Sequence, residues 1–114
     1  MNCPQLIKIL REDLSKYNSK FETIKFFRRN LTSYWVWICI LDRYYNNGNV
    51  ENIIREIPSE YASRPTLFKI IDAAVKKKYL KKELDKFDKR KYNLSPASQT
   101  IKEFKDWAKI FLPL

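Results

Sequence analysis

Nine Lys and Arg side chains (Lys76, Lys77, Lys78, Lys81, Lys82, Lys86, Lys89, Arg90 and Lys91) fall within sixteen residues of this 114-residue chain, against three acids, Glu83, Asp85 and Asp88. That segment is net +6, more than half of the chain's total of +10. Cations at this density neutralise phosphates and release their counterions, a chemistry that is steeply salt-dependent and indifferent to base sequence. A sharper chemistry is open just upstream, in Ser63-Arg64-Pro65-Thr66-Leu67. Arg64 can fork onto guanine O6 and N7, and Thr66 can touch a thymine methyl. Arg90, at the tip of a narrow basic hairpin, suits an A·T-rich minor groove with its enhanced negative potential. Asp85 and Asp88 are read as holding that tip and orienting its cations. The bland alternative is a solvated face.

Other chemistries lack their reagents. The chain has no histidine, which removes the commonest general base and zinc ligand. One glycine, Gly48, cannot build a Gly-rich phosphate loop. Cys3 and Cys39 form neither a disulfide framework nor a metal spacing. The expectation is a binding protein, not an enzyme, with no catalytic residues, no metal and no cofactor.

Length and composition fit one domain, residues 1–114, able to bury a real core. A hydrophobic fraction of 45% with 15% aromatics argues against disorder, and one glycine with five prolines favours helices over a β-meander. The longest apolar run, Tyr34 to Leu41, is far short of the roughly 20 residues that span a bilayer. The start, MNCPQLIKIL, lacks the long apolar stretch of a secretory signal. A cytoplasmic protein with no membrane association is expected. Charge is uneven: +4 over 1–48, −1 over 49–75, +6 over 76–91 and +1 over the rest. A patch confined to one helix end and one hairpin points to a polyanion partner.

The elements that must position these cations can be read from periodicity. Leu6, Ile7, Leu10, Leu14 and Tyr17 predict an amphipathic helix from Pro4 to Tyr17. Ser19-Lys20-Phe21-Glu22 is a capping-box pattern for a second helical segment carrying Ile24, Phe27 and Leu31. Its surface shows Lys20, Lys25, Arg28 and Arg29, a solvated face or, alternatively, a backbone contact. Thr32 is the expected cap of a central helix, Ser33 to Tyr45, that Gly48 terminates. Asn49 can cap a short helix, Val50 to Ile57. Ser59 to Ala62 is a turn. Ser63 then caps a long helix to about Lys78, with Leu67, Ile70, Ile71, Ala74 and Val75 inward and Thr66, Lys69, Ala73, Lys76 and Lys77 outward. From Tyr79 the period shifts toward 2, predicting strands Tyr79 to Leu84 and Arg90 to Leu94 around the tip Asp85 to Lys89. Ser95 is the expected cap, and Pro96 the first residue, of a last helix bearing Ile101, Phe104, Trp107, Ala108 and Phe111. Trp35, Trp37, Ile38, Leu41, Ile54, Leu67, Ile71 and Leu84 are expected in the core.

The predicted fold is thus mainly α with a small β-hairpin: a winged helix-turn-helix core over 31–95, flanked by an N-terminal helical segment (1–30) and a C-terminal helix (96–114). Over Leu31 to about Phe104 the chain resembles the MarR family of bacterial transcription regulators. Leu31-Thr32 and the helix opening near Trp35 are similar to the family's first core helix. Ser63-Arg64-Pro65-Thr66-Leu67 followed by Lys69-Ile70-Ile71-Asp72 is similar to its recognition-helix opening, SRPTVTRLVD. Asp85, Asp88-Lys89-Arg90 and Tyr92-Asn93-Leu94-Ser95-Pro96-Ala97-Ser98 resemble its wing, D-x-x-D-R-R, and the L-T-x-x-G that follows. The resemblance implies that Arg64, Thr66 and Lys69 face the major groove and that Arg90 enters the minor groove. The chain departs from the family in a longer turn between Ile57 and Ser63, in Ser98 where glycine is typical, and in a shorter C-terminal dimerisation region.

The expected function is sequence-specific binding of double-stranded DNA by a transcriptional regulator, with helix 63–78 in the major groove and wing 79–95 on the backbone and minor groove. The site residues are Ser63, Arg64, Thr66, Lys69, Lys76, Lys77, Lys81, Lys82, Lys86, Lys89, Arg90 and Lys91. Two other readings stay open: a winged-helix adaptor for a replication, phage or polymerase protein, and an architectural binder with little sequence preference. A homodimer is expected through the terminal helices, Pro4 to Tyr17 and Pro96 to Leu112, whose apolar stripes could alternatively pack on each other within one chain.

Overall fold

The structure is a computed structural model that describes residues 2–17, 20–46, 56–84, 86–88 and 92–112, Tyr17 by its backbone only. Among these, α1 (Cys3–Glu12), α2 (Glu22–Phe27), α3 (Leu31–Tyr45) and α4 (Arg64–Lys76) precede the strands β1 (Leu80–Leu84) and β2 (Tyr92–Pro96), and α5 (Ser98–Ala108) follows. A mainly helical domain with one antiparallel hairpin is therefore the fold.

Local chemistry accounts for the helix starts. Asn2 and Gln5 form a reciprocal capping box on α1, each side-chain oxygen accepting the other's backbone N–H at 2.9 and 3.0 Å. A wider π-helical turn, Asp13–Tyr17, continues α1. The second helix starts at Glu22 and ends at Phe27, so Leu31 opens α3 instead and stands 69% exposed. The cap of α3 is Asn30, not Thr32: Asn30 Oδ1 accepts the Ser33 N–H at 2.8 Å, so the helix starts two residues earlier, on a favoured cap residue. At its other end Asn46 closes α3 by donating to the Asp42 carbonyl at 2.9 Å. The expected stop at Gly48 and the helix from Val50 lie outside the described residues, apart from Glu56, which is helical, and Ile57, which is buried.

Helix α4 ends two residues before Lys78. Lys78 has φ 64°, its N–H donates to Val75 O at 3.0 Å, and the Tyr79 N–H donates to Ala74 O at 2.9 Å. This is a Schellman closure with lysine at the position glycine usually fills. Strand β1 leaves directly from it, pairing Leu80 with Pro96, Lys82 with Leu94 and Leu84 with Tyr92. Pro96, expected at the start of a helix, ends the strand, where its missing N–H costs no ladder bond. Ala97 is the backbone cap of α5; it lacks a capping side chain, and its N–H donates to Tyr79 O at 3.0 Å. Thr100 Oγ1 donates to the same carbonyl at 2.6 Å, which binds α5 to the base of the hairpin.

The core lies between α2, α3, α4 and the hairpin base, around Ile24, Phe27, Val36, Trp37, Ile40, Leu67, Ala74 and Leu80. Trp37, Leu41, Leu67 and Ile71 are buried as expected, and Trp35 is half-buried. Two expectations fail. Ile38 is 42% exposed because α3 turns Val36, Trp37, Ile40 and Leu41 inward, leaving Ile38 on the far side. Leu84 is 54% exposed because the two-stranded ribbon runs into solvent beyond Leu80. Ile54 lies outside the described residues.

The terminal helices differ. On α5, Ile101, Phe104 and Trp107 are half-buried against the core, with Trp37 in ring contact with Phe104 (5.7 Å) and Trp107 (5.5 Å). On α1 no residue is buried, and Leu6, Ile7 and Leu10, with Leu14 on the π-helical turn, are 40–66% exposed. The two stripes therefore do not cover each other. Instead, Asp13, 3% exposed, ties the end of α1 to the body. Its Oδ1 accepts Arg28 Nη1 at 2.7 Å and Trp107 Nε1 at 2.6 Å. With extents of 50 × 31 × 24 Å and a radius of gyration of 15.3 Å, the molecule is longer than the ~13 Å radius of a compact chain this size implies. No described helix is long and apolar enough to cross a membrane.

Candidate nucleic-acid interface

Helix α4 divides sharply by face. Leu67, Ile70, Ile71 and Ala74 are buried, while Arg64, Thr66, Lys69, Asp72, Lys76 and Lys77 are exposed. The side chains that a groove would meet are thus on the solvent side of a helix whose other side is locked into the core. At its start the Ser63 hydroxyl accepts the Thr66 N–H at 3.4 Å and lies 3.0 Å from Thr66 Oγ1. Those two hydroxyls cap the helix and each other. Arg64 and Lys69 remain the long cationic side chains of this end.

The hairpin continues the charged surface. Lys81 and Lys82 are exposed on β1, and Lys86 is exposed near the tip. Lys82 Nζ sits 4.6 Å from the centroid of Tyr92 across the ladder, so a cross-strand cation–π contact aims this cation. Lys89, Arg90 and Lys91 lie outside the described residues, as does Asp85. Phe87, next to the tip, is 98% exposed.

A cationic group that periodicity did not single out lies at the other end of α4. Arg29 Cζ is 4.4 Å, and Lys77 Nζ 6.0 Å, from the centroid of Phe26. Phe26 is itself 8% exposed and packs edge-on against Tyr79 at 5.5 Å. The turn between α2 and α3 is thereby joined to the base of the hairpin. Arg28, by contrast, is turned inward to Asp13, so of the adjacent arginine pair only Arg29 is on the surface. The signal in the sequence was the pair itself; which member faces out depends on Asp13.

Burial, with Asp42 nearby, pushes the Cys39 thiol up, against a smaller opposing pull from Arg43. Arg43 pairs with Glu56. Among the described residues no cluster of His, Cys, Asp and Glu is placed to hold a metal ion. Compared with family models, curated proteins and solved structures, the chain matches none.

Proposed function

We propose that this protein binds double-stranded DNA as a winged-helix regulator of the MarR type, with α4 as the recognition helix and the hairpin as the wing. The observation that carries the reading is the exposure of every described cation from Arg64 and Lys69 through Lys76 and Lys77 to Lys81, Lys82 and Lys86. Lys69 and Lys76 lie on the solvent side of α4, opposite Leu67, Ile70 and Ala74, and the hairpin leaves that helix through a three-residue turn, Lys77 to Tyr79. A helix with one face anchored and the other cationic fits a major groove, and a basic ribbon beside it fits the flanking phosphates. Neutralising several phosphates gives a binding constant that falls steeply with salt. We further propose a two-fold dimer through the α1 stripe, which would set two copies of α4 about 34 Å apart on a palindromic site.

The test is fluorescence anisotropy with random and selected duplexes across a salt series. Salt-sensitive binding to duplex with a preference for one palindrome is expected. Arg90→Glu with Lys91→Glu weakens binding to every duplex. Arg64→Ala costs about 1–3 kcal/mol on the preferred site alone. If neither variant changes binding at physiological salt, the patch is a solvated face. An architectural role has one observation in its favour: the hydroxyls of Ser63 and Thr66 are committed to capping, which leaves fewer groups for base edges. Equal affinity for random and selected duplex decides for that role.

A further inference from the structure

Two like charges on one ring need a reason. Arg29 and Lys77 come from positions far apart in the chain, yet both lie within 6.0 Å of the Phe26 centroid. Arg29 Nε donates to Ser33 Oγ at 3.3 Å, but neither Arg29 nor Lys77 makes an ion pair with a described residue. The carboxylate of Glu103, the acid that α5 lends to this side of the molecule, is already occupied: Oε1 accepts Thr23 N–H and Oγ1, and Oε2 accepts Gln99 Nε2. The π face accommodates cations, but it does not cancel their mutual repulsion.

Next to them stands Lys78, in the left-handed region at φ 64°. Glycine occupies that position of a Schellman closure without penalty, whereas any side chain with a Cβ is strained there. The closure needs no side chain: its hydrogen bonds are Lys78 N–H to Val75 O and Tyr79 N–H to Ala74 O. Lysine is therefore the costlier residue for the fold, and an outlier of this kind points to a role for the side chain. Lys78 is exposed and follows Lys77 directly in the chain.

We propose that Arg29, Lys77 and Lys78 form a discrete phosphate-binding site for the DNA backbone, separate from the groove-facing start of α4. This rests on the DNA-binding reading above and specifies where one strand is gripped. The thirteen residues of α4 span about 20 Å at 1.5 Å each. The major groove is only about 12 Å wide. With Arg64 at the base edges, the far end of the helix emerges over the flanking strand, where the negative groups are phosphates. Arg29, from the turn before α3, adds a third cation to this end of the helix, beside the base of the hairpin.

The experiment pairs thermal melting with duplex binding at several salt concentrations. Lys78→Gly is expected to raise the melting temperature by a few degrees, because the backbone strain is relieved. The same change weakens duplex binding about 3- to 10-fold near 0.1 M salt and lowers the log–log salt slope by about 1. Arg29→Gln with Lys77→Gln lowers the slope by about 2. A merely structural lysine would move stability and binding together. If the unchanged protein binds duplex and these variants keep its affinity and slope, the site is refuted while DNA binding stands. If the unchanged protein binds no duplex, both readings fall. If poly-glutamate of matched charge binds as tightly and loses as much in the same variants, the cluster is a carboxylate patch and the proposal fails.

Discussion

Asp13 is the residue on which the N-terminal half turns. A single carboxylate oxygen takes both the Arg28 guanidinium and the Trp107 indole N–H, at 2.7 and 2.6 Å, in a nearly dry site. Asp13→Ala leaves a half-buried cation without its partner, and removing one member of such a pair costs about 3–5 kcal/mol. Asp13→Asn keeps an acceptor for the indole and costs less, roughly 1–3 kcal/mol. Urea unfolding of the two variants checks the order. The cysteines offer a second residue-scale test. Thiolate is the reactive form, and Cys39 is 7% exposed with its thiol pushed up, first by burial. Cys3 is exposed. A thiol reagent at neutral pH should label Cys3 alone in the native protein and Cys39 only after denaturation.

Helix α2 shows how one element can depend on another for the capping of its first turn. Its cap residue, Phe21, has no side-chain acceptor, and the acceptor is supplied by Glu103 from α5, 2.9 Å from the Thr23 N–H and 2.8 Å from the Thr23 hydroxyl. A carboxylate at a helix N-terminus also meets the positive end of the dipole. Glu103→Ala therefore costs about 1–3 kcal/mol, since Thr23 is fully buried and its donors are left unpaired. Glu103→Gln retains an oxygen at that place and loses about 1 kcal/mol. Denaturant midpoints for the pair distinguish a lost cap from a lost charge.

At the scale of the molecule, α1 stands out as an amphipathic helix without a buried residue, joined to the body at Asp13, with Leu6 and Leu10 on its open face and Leu14 exposed on the turn that continues it. The aromatic stripe of α5, expected to share that interface, is largely spent on Trp37. Dimerisation through α1 predicts about twice the 13.8 kDa chain mass in light scattering at micromolar concentration. Leu10→Asp should return the mass to one chain with little change in melting of the body, because Leu10 is 44% exposed. A single-chain mass before and after the substitution would show that α1 is not the dimer surface.

What the sequence by itself determined is local. The cap at Ser63, the 3.6 period of α4, its change toward 2 from Tyr79 and the concentration of charge between Lys76 and Lys91 all act within a few residues, so the order of helices and hairpin was legible in them. Boundaries slipped where two local choices were close, as with Asn30 against Thr32, or Pro96 as strand end against helix start. Periodicity also reports that a face is apolar without saying what covers it. That is why the stripes of α1 and α5 read alike and ended differently. Tertiary structure decided the rest: Glu103 reaching Thr23 across 80 residues, Asp13 reaching Trp107 across 94, and Arg29 meeting Lys77 over Phe26. Such contacts depend on how the core brings distant segments together, and no spacing along the chain encodes that distance.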